Sequence, residues 1–139
     1  MDGVGYSYLM PGAVLAQGSV PPPGAVLPFD VIVLAAIEHQ DIDLPGYEVL
    51  LVPLDDSGPP PSPADRVLIR ETARRIARRI RAGKRVLVTC HQGRNRSGVL
   101  AGLALVELGL PRDRAVRRIR VYRQGLTNPW FRAMVQGTL

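Results

Sequence analysis

Three short apolar runs recur along the chain, and each is too short to form a buried helix. They are DVIVLAA at 30–36, YEVLLVPL at 47–54 and RVLVT at 85–89. Runs of about four to eight residues that are rich in β-branched side chains and bounded by turn sequence are typical of strands buried on both faces. A further strand is predicted at 13–18, AVLAQG. Parallel strands need long crossover connections, so we expect helices between these runs.

The first connection of this kind lies between the second and third runs. Ser62 offers an N-cap and Pro63 suits the first turn, so a helix is predicted over 63–82, with Gly83 as its C-terminal stop. Its buried stripe recurs at 3.6-residue spacing. The stripe consists of Ile69, Ala73, Ile76, Ala77 and Ile80, and seven arginines between 66 and 81 fill the rest of the surface.

Further helices are predicted after the third run, at 97–108, at 111–123 and in the tail NPWFRAMVQ. Strands that alternate with helices indicate an α/β fold with a central, mostly parallel sheet. We expect helices on both faces of this sheet. The proline clusters are too short to link domains, so residues 1–139 are predicted to form one domain.

Charge is distributed unevenly along the chain. Residues 1–65 contain nine acidic and no basic side chains, whereas residues 66–139 contain three acidic side chains and all 18 basic ones. This asymmetry indicates an anionic partner, although arginines 66–81 are equally consistent with a solvated helix face. A single cysteine excludes an intramolecular disulfide and fits a reducing compartment. No apolar run approaches the roughly 18 residues of a membrane span. We therefore predict a cytoplasmic protein and favour a monomer.

The single cysteine, Cys90, begins the segment CHQGRNRS at the end of the third predicted strand. Ligands of α/β sheets bind at the carboxyl ends of strands, and amides at a helix N-terminus bind anions. Gly93 and Asn95 tolerate left-handed backbone, and Arg96 offers a planar fork for two phosphate oxygens. A helix N-terminus and nearby arginines favour a nucleophilic thiolate. The alternative is an inert cysteine that ends a core strand.

The segment CHQGRNRS, 90–97, resembles the C-x5-R-[ST] signature loop of the cysteine-dependent protein tyrosine phosphatases. Its late position in the chain resembles the dual-specificity branch. Three other segments are similar to that branch: LAQGSVP at 15–21, VPLDD at 52–56 and NPWF at 128–131. The resemblance implies a dual-specificity phosphatase-like fold and hydrolysis of phosphomonoesters through a phosphocysteine intermediate, without a cofactor or a metal ion.

The resemblance also implies a set of site residues. Cys90 would be the nucleophile, Arg96 would hold the phosphate, and Ser97 would donate a hydrogen bond that helps the thiolate to leave in the second step. Asp56 would be the general acid, with Asp55 as the alternative. The predicted phosphate-binding residues are His91, Gln92, Gly93, Arg94, Asn95 and Arg96.

The sequence departs from the family pattern at Thr89, where the family usually has a histidine. We expect Thr89 to bond neighbouring backbone, so that activation of the thiol depends more on Arg96 and the amides. His91 is expected to point outward at the rim. His39 and His91 have no ligand partners at useful sequence spacing, so no metal site is predicted.

Three hypotheses about function remain open. The first is a phosphatase of phosphotyrosine, phosphoserine and phosphothreonine in proteins. The second is a phosphatase of phosphoinositides or of RNA 5′ ends. Arg94 could reach a second negative group, and GRNRSG resembles the loop of RNA 5′-triphosphatases, although aromatic residues for base stacking are scarce. The third is a phosphate-binding module whose catalysis is impaired by the missing histidine.

Overall fold

A five-stranded sheet with four helices forms the protein. The structure is a computed structural model that describes residues 5–56 and 59–139. The strands are β1 (Tyr6–Tyr8), β2 (Leu15–Ser19), β3 (Val31–Ala36), β4 (Glu48–Leu54) and β5 (Val86–Cys90). The helices are α1 (Pro63–Arg81), α2 (Arg96–Glu107), α3 (Arg112–Arg123) and α4 (Pro129–Gln136). The predicted loop over 55–63 includes residues 57–58, which lie outside the described residues.

The strand order is β1-β2-β5-β3-β4, and every pairing except β1 with β2 is parallel. The predicted α/β fold with a mostly parallel sheet is therefore confirmed. Strand β1 was not predicted because it has three residues and no apolar run. It is an edge strand whose Tyr6 packs edge-on against Phe29, with ring centroids 5.0 Å apart.

The two faces of the sheet are covered differently. All four helices contribute to the larger core, on the face that carries Val33 and Val88. On the opposite face, Ile32 and Leu87 pack with Phe29 and other side chains of the connecting segments. The expectation of helices on both faces was wrong, because the second apolar face is small enough for these segments to cover.

Helix α1 begins as the sequence predicts. The hydroxyl of Ser62 accepts a hydrogen bond from the Asp65 amide at 3.1 Å, and Gly83 adopts a φ of +87° just beyond the helix. Helix α2 is buried along most of its length, from Arg96 to Leu105. No helix in the described part of the chain is both long and apolar enough to span a membrane.

Candidate active site

Cys90 is the last residue of β5, one residue later than the predicted strand end. Because β5 lies between β2 and β3, the thiol emerges at the centre of the sheet, where it is 3% exposed. A cavity of about 430 Å³ opens at this carboxyl edge. Its lining consists of Glu38, Asp55, Asp56, Cys90, His91, Gln92, Arg94, Asn95 and Arg96. The structure thus brings both predicted acid candidates to the cysteine loop.

The turn of the loop depends on Gly93, which has a φ of +69°. A Cβ atom at this position would come within 2.6 Å of Arg123 Nη2 and would also collide with the backbone of Gly18. Glycine is therefore required here for both its backbone conformation and its lack of a side chain.

Two side chains from outside the loop hold its carbonyl oxygens. Gln17 Nε2 donates to Gly93 O at 3.0 Å and to Arg94 O at 3.2 Å. Arg123 donates from Nε to Gly93 O at 3.2 Å and from Nη2 to Gln92 O at 3.3 Å. These bonds fix the path of the loop.

Asn95 precedes helix α2 but does not cap it. Its φ of −97° and ψ of −58° are right-handed, so of the two residues that tolerate left-handed backbone only Gly93 adopts it. Its Oδ1 accepts hydrogen bonds from Thr127 Oγ1 at 3.2 Å and from the Asn128 amide at 3.0 Å. The first amides of α2 consequently lack a side-chain acceptor, whereas α1 and α4 each have one.

Arg96 is the first residue of α2 and is 8% exposed. Its Nη1 and Nη2 donate to the two carboxylate oxygens of Glu38 at 2.5 and 2.8 Å, and Nη1 also donates to Leu54 O at 3.1 Å. Among the described residues, no acceptor lies within reach of the buried Nε. This ion pair stabilises the charged forms of both Glu38 and Arg96. The hydrogen bonds from Arg96 lower the pKa of Glu38 to about 2. For Arg96, burial lowers the pKa, but the hydrogen bonds to Glu38 together with the negative charges of Cys90, Glu38 and Asp56 outweigh it, so the pKa of Arg96 is raised.

A buried polar chain leads to the thiol. Cys90 Sγ and Ser97 Oγ lie 3.2 Å apart, and Gln17 Nε2 donates to Ser97 Oγ at 3.1 Å. Gln17 Nε2 also faces the carbonyl oxygens of Gly93 and Arg94, which can only accept hydrogen bonds. The nitrogen of the Gln17 amide, rather than its oxygen, must therefore face them. The Ser97 oxygen thus accepts hydrogen bonds from both the Cys90 thiol and the Gln17 amide. Thr89 Oγ1 donates to Val33 O at 2.8 Å, which confirms the expected bond to backbone.

The two aspartates of the cavity differ in their surroundings. Asp55 is exposed, whereas Asp56 is half-buried and its Oδ1 accepts a hydrogen bond from Asn128 Nδ2 at 2.5 Å. Asn128 also caps α4, with Oδ1 accepting from the amides of Trp130 and Phe131. Asn128 therefore connects the segment after β4 with the cysteine loop.

His91 and Gln92 are exposed at the rim of the cavity. His39 and His91, which have no ligand partners at useful sequence spacing, lie beside each other in the structure, with His39 Nε2 and His91 Nδ1 3.0 Å apart. Their residue numbers are far apart, but His39 follows β3 and His91 follows β5, and these strands are neighbours.

Sequence reasoning missed Glu38 and Gln17. A signal existed for Glu38, which follows a predicted buried strand at the carboxyl edge where ligands bind. A weaker signal existed for Gln17, a polar residue within a predicted apolar strand. Neither signal identifies the partner, because each contact joins segments more than 50 residues apart.

Comparison with solved structures relates this architecture to known folds. Human DUSP28 superimposes with a TM-score of 0.79 at 24% identity, covering 96% of this chain and 91% of that one. Tk-PTP in its active form gives 0.74 at 22% identity, with coverage of 96% and 95%. This chain has the dual-specificity phosphatase fold. PTPMT1 in complex with PI(5)P shares this fold, with a TM-score of 0.73, 14% identity and coverage of 96% and 93%. No protein-family model and no curated protein sequence matches the chain.

Proposed function

We propose that the protein is a cysteine-dependent phosphatase that hydrolyses phosphomonoesters through a phosphocysteine intermediate. The observation that carries this proposal is the buried Arg96 Nε, a donor for which residues 5–56 and 59–139 offer no acceptor, in the side chain that lines the same cavity as Cys90. A buried donor of this kind calls for an anionic partner. The amides at the start of α2, which have no side-chain cap, provide further donors for the same phosphate.

In the first step, Cys90 Sγ attacks phosphorus in line with the leaving oxygen. The S–P bond forms as the P–O bond to the leaving group breaks, and Asp56 gives its proton to the departing oxygen. Arg96 and the loop amides stabilise the charge on the equatorial oxygens. The bond from Asn128 supports Asp56 as the acid, because it fixes one carboxylate oxygen and leaves the other for the proton.

In the second step, Asp56 removes a proton from water, which attacks phosphorus and breaks the S–P bond. Inorganic phosphate leaves, and the electron pair returns to Cys90 as a thiolate. The Ser97 hydroxyl stabilises that thiolate, and the 3.2 Å contact between Oγ and Sγ supports this assignment.

The substrates that we propose are phosphorylated proteins. A chain of 139 residues has little room for the insertions that deepen a phosphotyrosine pocket. Serine and threonine esters would therefore be accepted as well as tyrosine esters. The fold shared with DUSP28 supports this substrate class.

Three variants test the mechanism. Cys90→Ser is expected to abolish hydrolysis of an aryl phosphate, with a loss of about 10³-fold or more. Asp56→Ala should cost about 10²- to 10⁴-fold on a phosphoserine peptide, whose leaving group is poor, and much less on the aryl ester. A larger loss in Asp55→Ala would assign the acid to Asp55. Phosphate binding without turnover in the unaltered protein would instead support the binding-module hypothesis.

A phosphoinositide is the second candidate substrate, and Arg94 favours it. Arg94 lines the cavity, where it can meet a second phosphate on the substrate. PTPMT1, which has the same fold, is complexed with PI(5)P. Arg94→Ala should then reduce turnover of a doubly phosphorylated headgroup more than that of a phosphotyrosine peptide. A 5′-triphosphorylated RNA in the same panel would test the RNA hypothesis directly.

A further inference from the structure

Three side chains that can act as metal ligands, Glu38, His39 and His91, lie together at the rim of the cavity. One ligand atom from each residue lies within 4.8 Å of the others. The histidine rings are stacked, with centroids 5.3 Å apart and planes inclined by 17°. His39 is half-buried, whereas Glu38 and His91 are exposed, so an ion could enter from solvent.

The two imidazole nitrogens are close to the spacing that a shared metal ion requires. Zinc binds histidine nitrogen at about 2.0–2.1 Å, so two nitrogens of one tetrahedral site are about 3.3 Å apart. The observed separation of His39 Nε2 and His91 Nδ1 is 3.0 Å. A small movement of the exposed His91 ring would open this pair to admit the ion.

We propose that Glu38, His39 and His91 form a binding site for a zinc-class divalent ion. Two imidazole nitrogens and one carboxylate oxygen are ligands that suit zinc, and water would complete its coordination. Cys90 is not among these ligands, so the metal site adjoins the proposed phosphate site, and Glu38 and His91 line the same cavity as the thiol. The alternative is a simple hydrogen bond between the two imidazoles.

Metal binding at this site would affect the cysteine loop through Glu38. Both carboxylate oxygens of Glu38 accept hydrogen bonds from Arg96. A metal ion would compete with Arg96 for the same negative charge and would fix the ring that follows Cys90 in the chain. Zinc bound here is therefore expected to inhibit phosphate-ester hydrolysis.

The binding test uses the full chain without a polyhistidine tag and with Cys90→Ser, so that the thiol cannot hold the ion. Titration calorimetry with Zn²⁺ should show one site, and Co²⁺ should give visible absorption bands typical of a histidine-bound ion. Adding His39→Ala or His91→Gln should weaken binding by roughly tenfold or more. Asp43→Asn, which removes a nearby exposed carboxylate outside the cluster, is the matched control and should bind normally.

Two results would overturn the proposal. Absence of binding at micromolar Zn²⁺ would show that the histidines form a hydrogen bond only. Binding that His39→Ala and His91→Gln leave unchanged would place the ion elsewhere. Both results are measurements of metal binding on a variant that is inactive under the proposed mechanism. Neither result therefore depends on whether the protein is a phosphatase.

Discussion

The hydrogen bonds nearest the thiol come from neutral side chains. Thr89 is committed to Val33 O, and Gln17 holds both the loop carbonyls and the Ser97 hydroxyl. With Thr89 before Cys90, Gln17 is the buried residue that holds the Ser97 hydroxyl beside the sulfur. The site is therefore organised around the thiol without a charged group at position 89.

Replacing Gln17 with leucine should damage both stability and the second chemical step. The carbonyl oxygens of Gly93 and Arg94 would lose a buried donor, which costs about 1–3 kcal/mol of unfolding free energy. Urea unfolding measures this loss. A pre-steady-state burst of leaving group should become more pronounced, since the phosphocysteine would break down more slowly. Gln136→Leu, an exposed change of the same kind, is the control, and equal losses in both variants would contradict this assignment.

The pair of Glu38 with Arg96 should contribute stability in a pH-dependent way. Arg96 holds the pKa of Glu38 at about 2 in the folded protein, below its ordinary value of 4.5. A lowered folded-state pKa gives stability that is complete above about pH 4.5 and is lost as the pH falls toward 2. Glu38→Gln should therefore have a lower melting temperature than the unaltered protein at pH 7. The difference in melting temperature between the two proteins should become smaller as the pH falls from 4.5 to 3.

The size of that effect is expected to be about 1 kcal/mol, since the Glu38 side chain is 43% exposed and solvent screens it. Thermal melts of the two proteins over this pH range provide the measurement. A difference in melting temperature that is independent of pH would mean that packing, rather than charge, accounts for the contribution of Glu38.

At the scale of secondary-structure elements, the start of α4 connects two functional segments. Asn128 caps α4 with its side-chain oxygen and donates from its side-chain nitrogen to Asp56. Its amide also donates to Asn95 in the cysteine loop. Asp56 and the cysteine loop are thus held by the same residue.

Two substitutions separate these contributions. Asn128→Ala removes the cap and the bond to Asp56, so it should cost about 0.5–2 kcal/mol of stability as well as activity. Asn128→Ser keeps a capping oxygen but loses the donor to Asp56. It should retain most of the stability yet lose roughly 10- to 100-fold in kcat on a phosphoserine peptide. Full activity of Asn128→Ser would limit Asn128 to stabilising the helix.

The ends of helices were predicted well where they depend on interactions between residues that are close in the sequence. Ser62 and Gly83 mark the ends of α1 because a cap and a left-handed stop act within a few residues. The role of Asn95 was not predictable in this way, because its side chain accepts hydrogen bonds from Thr127 and Asn128, which are more than 30 positions away in the chain. The predicted start of α2 differs by one residue, which places Arg96 inside the helix.

At the scale of the whole molecule, the acidic half of the chain supplies the strands before α1, and the basic half supplies all four helices. This distribution predicts a salt dependence that differs between substrates. The kcat/KM for a substrate with several phosphates should fall as salt rises, because screening acts beyond about 10 Å at 0.1 M ionic strength. Parallel assays with a small aryl phosphate provide the comparison. Equal salt sensitivity for both substrates would locate the effect within the cavity.

The class of fold was predictable because buried strands and amphipathic helices alternate along the chain. The arrangement of helices on one face was not, because connecting segments that cover a sheet have no periodic pattern. Phe29 and Leu44 lie in such segments, and only the structure shows them packed against the second face. The neighbouring positions of His39 and His91 were hidden for the same reason, since the order of strands in the sheet differs from their order in the chain.

The central position of β5 has a consequence for how the protein folds. Strands β3 and β4 can pair as soon as both are synthesised, but β2 has no parallel partner until β5 arrives. Pairings over such long sequence separations form slowly, because a large loop must close first. We expect the sheet to remain open until residues 86–90 insert between β2 and β3. The same event delivers Cys90 to its place, so a chain that has assembled its sheet has also assembled its cysteine loop.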